Sequence, residues 1–558
     1  MSAAVSEVTG GVDGDLLMAH CAEFAKRVKL SGTPEEMESF RYLQRCLDGY
    51  GCRTELLFHD AYISLPGAAR VEALGRELTC ITHSFSVNSP AGGLTAPLVD
   101  LSAGSEADFA ARDCKGRIGL VDGIASPAVA ARAKAAGAAG LLHVSHHEYV
   151  HEMCISPVWG NPSGATIAAM PTAVVCTIAA ADGAALREAL ATSATMTVTL
   201  HAVVDTGWRK TPLLVAHIDA PAGEDAPFVL MSGHHDTWYY GVMDNGSANA
   251  TMLEAARLLA AQKSELRRNV RICFWSGHSH GRYSGSTWYA DLNWRDLDRR
   301  CAAHVNVDST GGIGATVCGE NGVVAALAGL ARDATQAEAG QTHLGKRPSR
   351  SSDQSFWGIG IPSMYGSVSH QAAGQEKMRH ALGWWWHTPE DLLDKIDRDF
   401  LVRDTRIVLH TMWRLTTDPV LPIDPREELG SLAEQLAAIK PLPAGFLAPV
   451  EAALSKARSA FDVIEGRRGD GPVACGKRDT ALMRACRALV PLDYTGGDRF
   501  DHDPALPQNA WPSLDDLRAL AAAPSGSDGS RFALVAATRA RNRLLSALED
   551  VEAAANLG

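Results

Sequence analysis

Four short apolar runs, each closing on a cluster of polar residues, do most to limit what this chain can fold into. Phe228 to Met231 runs into GHHDTWYYGVMDNGS, Val270 to Trp275 into SGHSHG, and His304 to Val307 into Asp308; a fourth run surrounds Ile361 in IPSMYGS. An Ala/Leu-rich helical pattern, Ser247 to Gln262, follows the first. Strands alternating with helices predict an α/β fold with a mixed, mostly parallel sheet covered by helices. Such sheets bind ligands at the carboxyl ends of their strands, where this chain gathers His and Asp.

Around this block the texture changes. Met37 to Leu47 reads as helix, with strand-like runs near Leu56 and Ile63. From Leu94 to Val204, short apolar β runs (LTAPLVDL, KGRIGLVDG, AGAAGLLHV, MPTAVVCTI) alternate with glycine turns and Ala-rich helix, which predicts a compact α/β insert. TTDPVLPIDPREE reads as a linker, and residues 427–558 as mostly helical, ending in a long charged helix from Arg531 to Ala555. At about 150 residues per domain, 558 residues suggest three or four domains.

Charge and composition narrow the partners. The 52 basic and 64 acidic residues leave −12, so no basic excess exists to replace phosphate counterions, and nucleic acid is not an expected partner. The longest apolar stretch, Thr166 to Ala181, contains a proline and is too short to cross a bilayer, so no membrane is expected either. MSAAVSEVTGGVDGD lacks the basic start and apolar run of a signal peptide, and the 12 cysteines form no CxxC. A cytoplasmic protein with reduced thiols is the expectation.

Five polar clusters carry the candidate chemistry: His234-His235-Asp236, Asp244-Asn245-Gly246-Ser247, GHSHG at 277–281, Asp308, and His387 in WWWHTPEDLLDKID. Imidazoles and carboxylates at several strand ends suit a divalent metal, zinc first, with iron or manganese as alternatives. Asp236 is positioned to orient His234. Each cluster also has a plain structural reading: a hydrogen-bonded histidine beside a strand, a helix N-cap at Asp244, an acidic first turn at Asp391 and Asp394. GHSHG matches G-x-S-x-G, and Ser279, Asp308 and His387 follow the order of a serine-hydrolase triad. Trp238, Tyr239, Tyr240, Trp275, Trp357 and Trp384 to Trp386 are read mainly as core, with a pocket for a flat small molecule as the sharper alternative. His147 and His151, four apart, read as a loop or a substrate-facing lip, with a helical metal pair as the alternative.

Taken in order, GHHDTW, MDNGSANATMLEAARLL, VNVDST, RSSDQSFWGIGIPSM and WHTPEDLLDKID resemble the M28 metallopeptidase family, in the branch of glutamate carboxypeptidase II and the transferrin receptor. The resemblance implies an M28-type catalytic domain over 1–93 and 205–420, a protease-associated insert over 94–204, and a helical dimerisation domain over 427–558, hence a homodimer. It implies that His234 and Asp308 bind one metal, that Asp244 bridges two, and that His387 binds the second. It also carries departures. The family's Glu-Glu pair, a base and a ligand, falls on SGHSHGRYSGS, which has no carboxylate. Counted from the strand, His278 takes the base position and Ser279 the ligand position; counted from GST, Ser279 takes the base and His280 the ligand. Trp386 replaces a tyrosine that supplies a hydroxyl to the oxyanion, and ALPQNAWPSL stands where a Lys-Tyr substrate loop is expected.

The resulting expectation is a metal-dependent hydrolase of an amide or related C–N bond in a small or short peptide-like substrate. His234, Asp244, Asp308, His387 and His280 would hold metal, His278, Ser279 and Asp236 would serve catalysis, and Trp386, Asp353 and Trp238 would contact substrate. The alternatives are a single-metal lyase, decarboxylase or oxygenase, and a binding protein without activity.

Overall fold

The computed structural model describes residues 4–193, 196–373, 381–466 and 471–557; Met1 to Ala3 of the stretch read for a leader lie outside them. Twelve strands form one connected sheet: β1 Arg53–Ala73, β2 Arg76–Leu78, β3 Cys80–Thr82, β4 Leu94–Asp100, β5 Ile118–Asp122, β6 Gly140–Val144, β7 Val174–Ile178, β8 Thr197–Ile218, β9 Phe228–His234, β10 Asn269–Trp275, β11 Cys301–Asp308 and β12 Ser363–Ser367. At one end β12, β11, β9 and β10 run parallel, and β8 closes antiparallel on β10. Every residue of β9 and β10 is buried, as expected where helices cover both faces. The helix Ala248–Ala261, buried along most of its length, connects these two strands.

The runs near Leu56 and Ile63 are one 21-residue strand rather than two short ones. β1 pairs antiparallel with the 22-residue β8, and the register shifts between Pro66 and Ala69, where proline offers no amide to the ladder. This long pair carries the chain from the parallel end into a second β-rich part, where β4 to β7 run parallel. That part also takes in β3, N-terminal to residue 94, paired with β7.

Beyond the linker, the helices Pro425–Ala438, Ala448–Gly466, Pro472–Tyr494, Asp515–Ala522 and Asp528–Ala555 form the tail. It docks through buried ions. Arg268 donates to Asp479 (2.9 Å) and to the carbonyls of Leu415 (3.1 Å) and Asp418 (2.9 Å). Arg487 donates to the carbonyls of Gly360, Leu297 and Asp298 at 2.9–3.1 Å. Among the described residues no helix is long and apolar enough to cross a membrane.

Candidate metal centre

β9 ends on His234. Its Nδ1 donates to the Asp236 carbonyl at 2.8 Å, which fixes the tautomer and leaves Nε2 as the free nitrogen. That Nε2 lies 3.0 Å from Asp244 Oδ1 and 3.7 Å from Asp308 Oδ1. Asp244 Oδ2 lies 3.0 Å from His387 Nε2, and His387 Nδ1 in turn donates to the Glu152 carbonyl at 2.7 Å. One carboxylate thus stands between two imidazoles whose far nitrogens are both committed to backbone.

The cluster fits a divalent cation on its own geometry. His234 Nε2 and Asp244 Oδ1 are buried without a hydrogen-bond partner, an arrangement that proteins keep for a ligand or an ion. Burial opposes ionisation of Asp244, yet the His234 and His387 imidazoles beside it hold its carboxyl well below the usual carboxylate range. Burial likewise disfavours charge on His234, and Asp244 and Asp308 outweigh it, so that imidazole stays protonated well above its ordinary range. Asp308 is oriented by the hydroxyls of Ser352 (3.0 Å) and Ser309 (3.2 Å).

Asp391 is not the acidic first turn of a helix. It is buried and accepts from the amides of Met243 (2.9 Å) and Asp244 (3.0 Å), which fixes the backbone beneath the central carboxylate. Burial pushes Asp391 up to about 7 against those two amides.

The loop after β10 gives His278, Ser279 and His280 different surroundings. Asp236 accepts from the amides of His278 (3.2 Å) and Ser279 (2.9 Å) and from Ser31 Oγ (2.6 Å), so it organises this loop as well as sitting beside His234. His278 faces the site: its ring stacks on His234, centroids 3.7 Å apart and planes at 12°. His234, His278 and Asp308 offer donor atoms within 4.8 Å of one another. Ser279 Oγ is buried without a hydrogen-bond partner beside it.

His280 and Asp353 are not among the cavity-lining residues, although His280 Nε2 is buried without a hydrogen-bond partner. His280 accepts from Ser64 at its carbonyl, its Nδ1 sits 3.0 Å from Ser31 Oγ, and Trp238 packs on its ring. Asp353, expected on substrate, is buried behind His278, with Oδ2 2.7 Å from His278 Nδ1 and Oδ1 accepting from Ser286 Oγ at 2.7 Å. The Ser279–Asp308–His387 triad is not assembled either, because Ser279 Oγ has no partner and both His387 nitrogens are engaged elsewhere.

Asp244, His278, Ser279, Asp308 and His387 line a cavity of about 1510 Å³. Trp386 stacks on His387 (centroids 3.5 Å, 22°) and lines the cavity with Trp238, Trp357 and Trp384, whereas Trp275 is wholly core. His147 and His151 lie on a non-helical stretch with their Nε2 atoms 3.1 Å apart, and His151 Nδ1 contacts the Trp386 carbonyl at 2.5 Å. Glu152, Ser31 and Ser352 went unread in the sequence, and Asp391 was read there only as the acidic first turn of a helix. Only Asp391, four residues after His387, carried a local signal.

Residues 214–412 match the model of peptidase family M28. The chain is 33% identical to probable glutamate carboxypeptidase VP8 of Zea mays over 91 residues, 15% of this chain and 13% of that protein. It is 28% identical to aminopeptidase YwaD of Bacillus subtilis (strain 168) over 246 residues, 43% of this chain and 50% of that one. The match thus spans half or less of the length of these curated relatives. In fold, it resembles the aminopeptidase from Aneurinibacillus sp. strain AM-1 (TM-score 0.57, 21% identity, 74% of this chain and 96% of that one). BSAP, a zinc aminopeptidase from Bacillus subtilis, is similar at TM-score 0.56 and 20% identity, over 73% of this chain and 96% of that chain. Residues 214–412, the stretch that matches this family model, hold the whole His/Asp cluster.

Proposed function

We propose that this chain is a metal-dependent hydrolase acting on an amide or related C–N bond of a small substrate. The observation that carries the reading is the Asp244 carboxylate, one oxygen 3.0 Å from His234 and the other 3.0 Å from His387, on the floor of a large cavity. His234 and Asp308 would hold an ion with Asp244, and His387 would hold a second on the other side. Zinc suits this donor set, with iron or manganese as alternatives. When bound, the ion supplies Lewis acidity toward a carbonyl and acidifies a water.

The chain's own residues supply the rest. His278, with Nδ1 on Asp353, is free at Nε2 to take a proton from the attacking water and return it to the leaving nitrogen. Asp236 keeps the loop in register through two amides. Trp386 and Trp238 give apolar walls to a flat substrate. We infer further that 94–204 is a protease-associated insert and that 427–558 mediates a homodimer. Phe532 (75% exposed), Val535 (54%) and Val473 (76%) on the tail helices support the dimer, and sedimentation showing only monomer at micromolar concentration would overturn it.

A single-metal enzyme of another class is favoured by one observation: Ser279, not a carboxylate, lines the cavity together with His387. Turnover of an amide panel in water labelled with oxygen-18 separates the two readings. The hydrolase reading predicts metal-dependent release of amine with one labelled oxygen in the acid. Turnover without C–N cleavage would contradict it.

A further inference from the structure

Arg282 sits in the loop that carries His278 and lines the same cavity as Asp244 and Asp308. Arg282 and Tyr283 both adopt left-handed backbone (φ 48° and 72°), a conformation that costs energy without glycine and that clusters at binding sites. The guanidinium Nε is buried without a hydrogen-bond partner, and among the described residues no carboxylate pairs with Arg282. The Tyr283 ring lies 5.0 Å from the guanidinium.

Other arginines are provided for. Arg209, Arg271, Arg499 and Arg541 also leave Nε unpartnered, yet each places another guanidinium nitrogen on a carboxylate or carbonyl. On the cavity wall, Arg347 pairs with Asp493 at 2.8 Å, and Arg350 donates to the Pro504 carbonyl at 2.9 Å while lying over Trp159. Outside the His/Asp floor, among the described residues, the wall carries Arg282, Lys346, Arg347 and Arg350 against Glu320, in a chain whose net charge is −12. A half-buried guanidinium without a partner is costly, and a bidentate carboxylate is the ligand its fork matches best.

We propose that Arg282 determines specificity by gripping a carboxylate of the substrate. The Tyr283 ring, 5.0 Å from the Arg282 guanidinium, lies 4.8 Å from the His278 ring, and Arg282 and His278 line the same cavity. The substrates are therefore N-acyl compounds with a free carboxylate close to the scissile C–N bond. That substrate class rests on the hydrolase reading; recognition of the anion does not.

The test is calorimetric binding of hippurate and of its neutral amide, hippuramide, to the metal-loaded full chain, with KM standing for affinity where the probe is hydrolysed. Wild type is expected to prefer hippurate, and Arg282→Ala to weaken hippurate at least about tenfold while leaving hippuramide unchanged. Arg282→Lys should restore part of the loss, and metal content should not change. If the alanine variant does not fold, Arg282→Gln serves the same comparison. Binding of hippurate without turnover, lost in Arg282→Ala, supports the proposal while the hydrolase reading fails. Equal binding of the two probes, no saturable hippurate binding, an equal loss in Lys346→Ala, or binding of inorganic phosphate in place of hippurate each overturns it.

Discussion

His278 shows how one side chain takes its role from what lies behind it. An imidazole beside a metal can be ligand or proton carrier, and Asp353, buried and bonded to both His278 and Ser286, holds this ring parallel to His234. Asp353→Asn keeps the shape but removes the anion that fixes the ring's tautomer and orientation. The expected result is a fall in kcat on the order of 10²-fold with KM and metal content little changed. A matching loss of bound metal would make His278 a ligand instead. These residue-level roles were only partly legible in the sequence. His234, Asp244, Asp308 and His387 stand at strand ends or in short polar motifs, so their convergence follows from the α/β pattern. The direction of His280 does not, because it depends on a turn with positive φ at Arg282 and Tyr283, two residue types that give no sign of it.

Among the elements, β11 carries a buried titratable group of its own. His304 is fully buried, with Nε2 2.8 Å from Ser232 Oγ on neighbouring β9, and burial depresses it to about 3. A depressed imidazole is neutral in the folded chain, while the unfolded chain binds the proton from its ordinary value of 6.5 downward. Stability from this group is therefore complete above pH 6.5 and is lost as pH falls toward 3. His59 on β1, held at about 4 by burial, acts in the same direction. Urea midpoints measured from pH 7 to pH 4.5 should fall, and His304→Gln should make the fall shallower; an unchanged slope would count against His304 as a contributor. At this scale the parallel strands were readable from their unbroken apolar runs. The full length of β1 and β8 was not, since Pro66 and Gly67 look like a strand end, whereas the ladder resumes at Ala69 after a register shift.

At the scale of the whole molecule, remote parts of the chain build one site. The segment after β6 supplies the Glu152 carbonyl to His387, the N-terminal region supplies Ser31 to the loop of His278, and the tail reaches the cavity wall with Tyr494 and Leu506. None of these long-range contacts has a local sequence signature. The tail's hold on the core depends on Arg268, 2% exposed, whose loss would strand the Asp479 carboxylate. Arg268→Ala should cost about 3 to 5 kcal/mol in chemical unfolding, and a loss below about 1 kcal/mol would mean that Asp479 finds water.

The central claim is that Asp244 and its two imidazoles hold metal for hydrolysis. The measurement that tests it most directly is metal per protomer by elemental analysis on wild type, Asp244→Ala and His387→Ala. Wild type should hold up to two divalent ions, His387→Ala one fewer, and Asp244→Ala should lose most of its metal, since that carboxylate serves both sides. Undiminished metal in Asp244→Ala, or no metal in wild type under any loading condition, would contradict it.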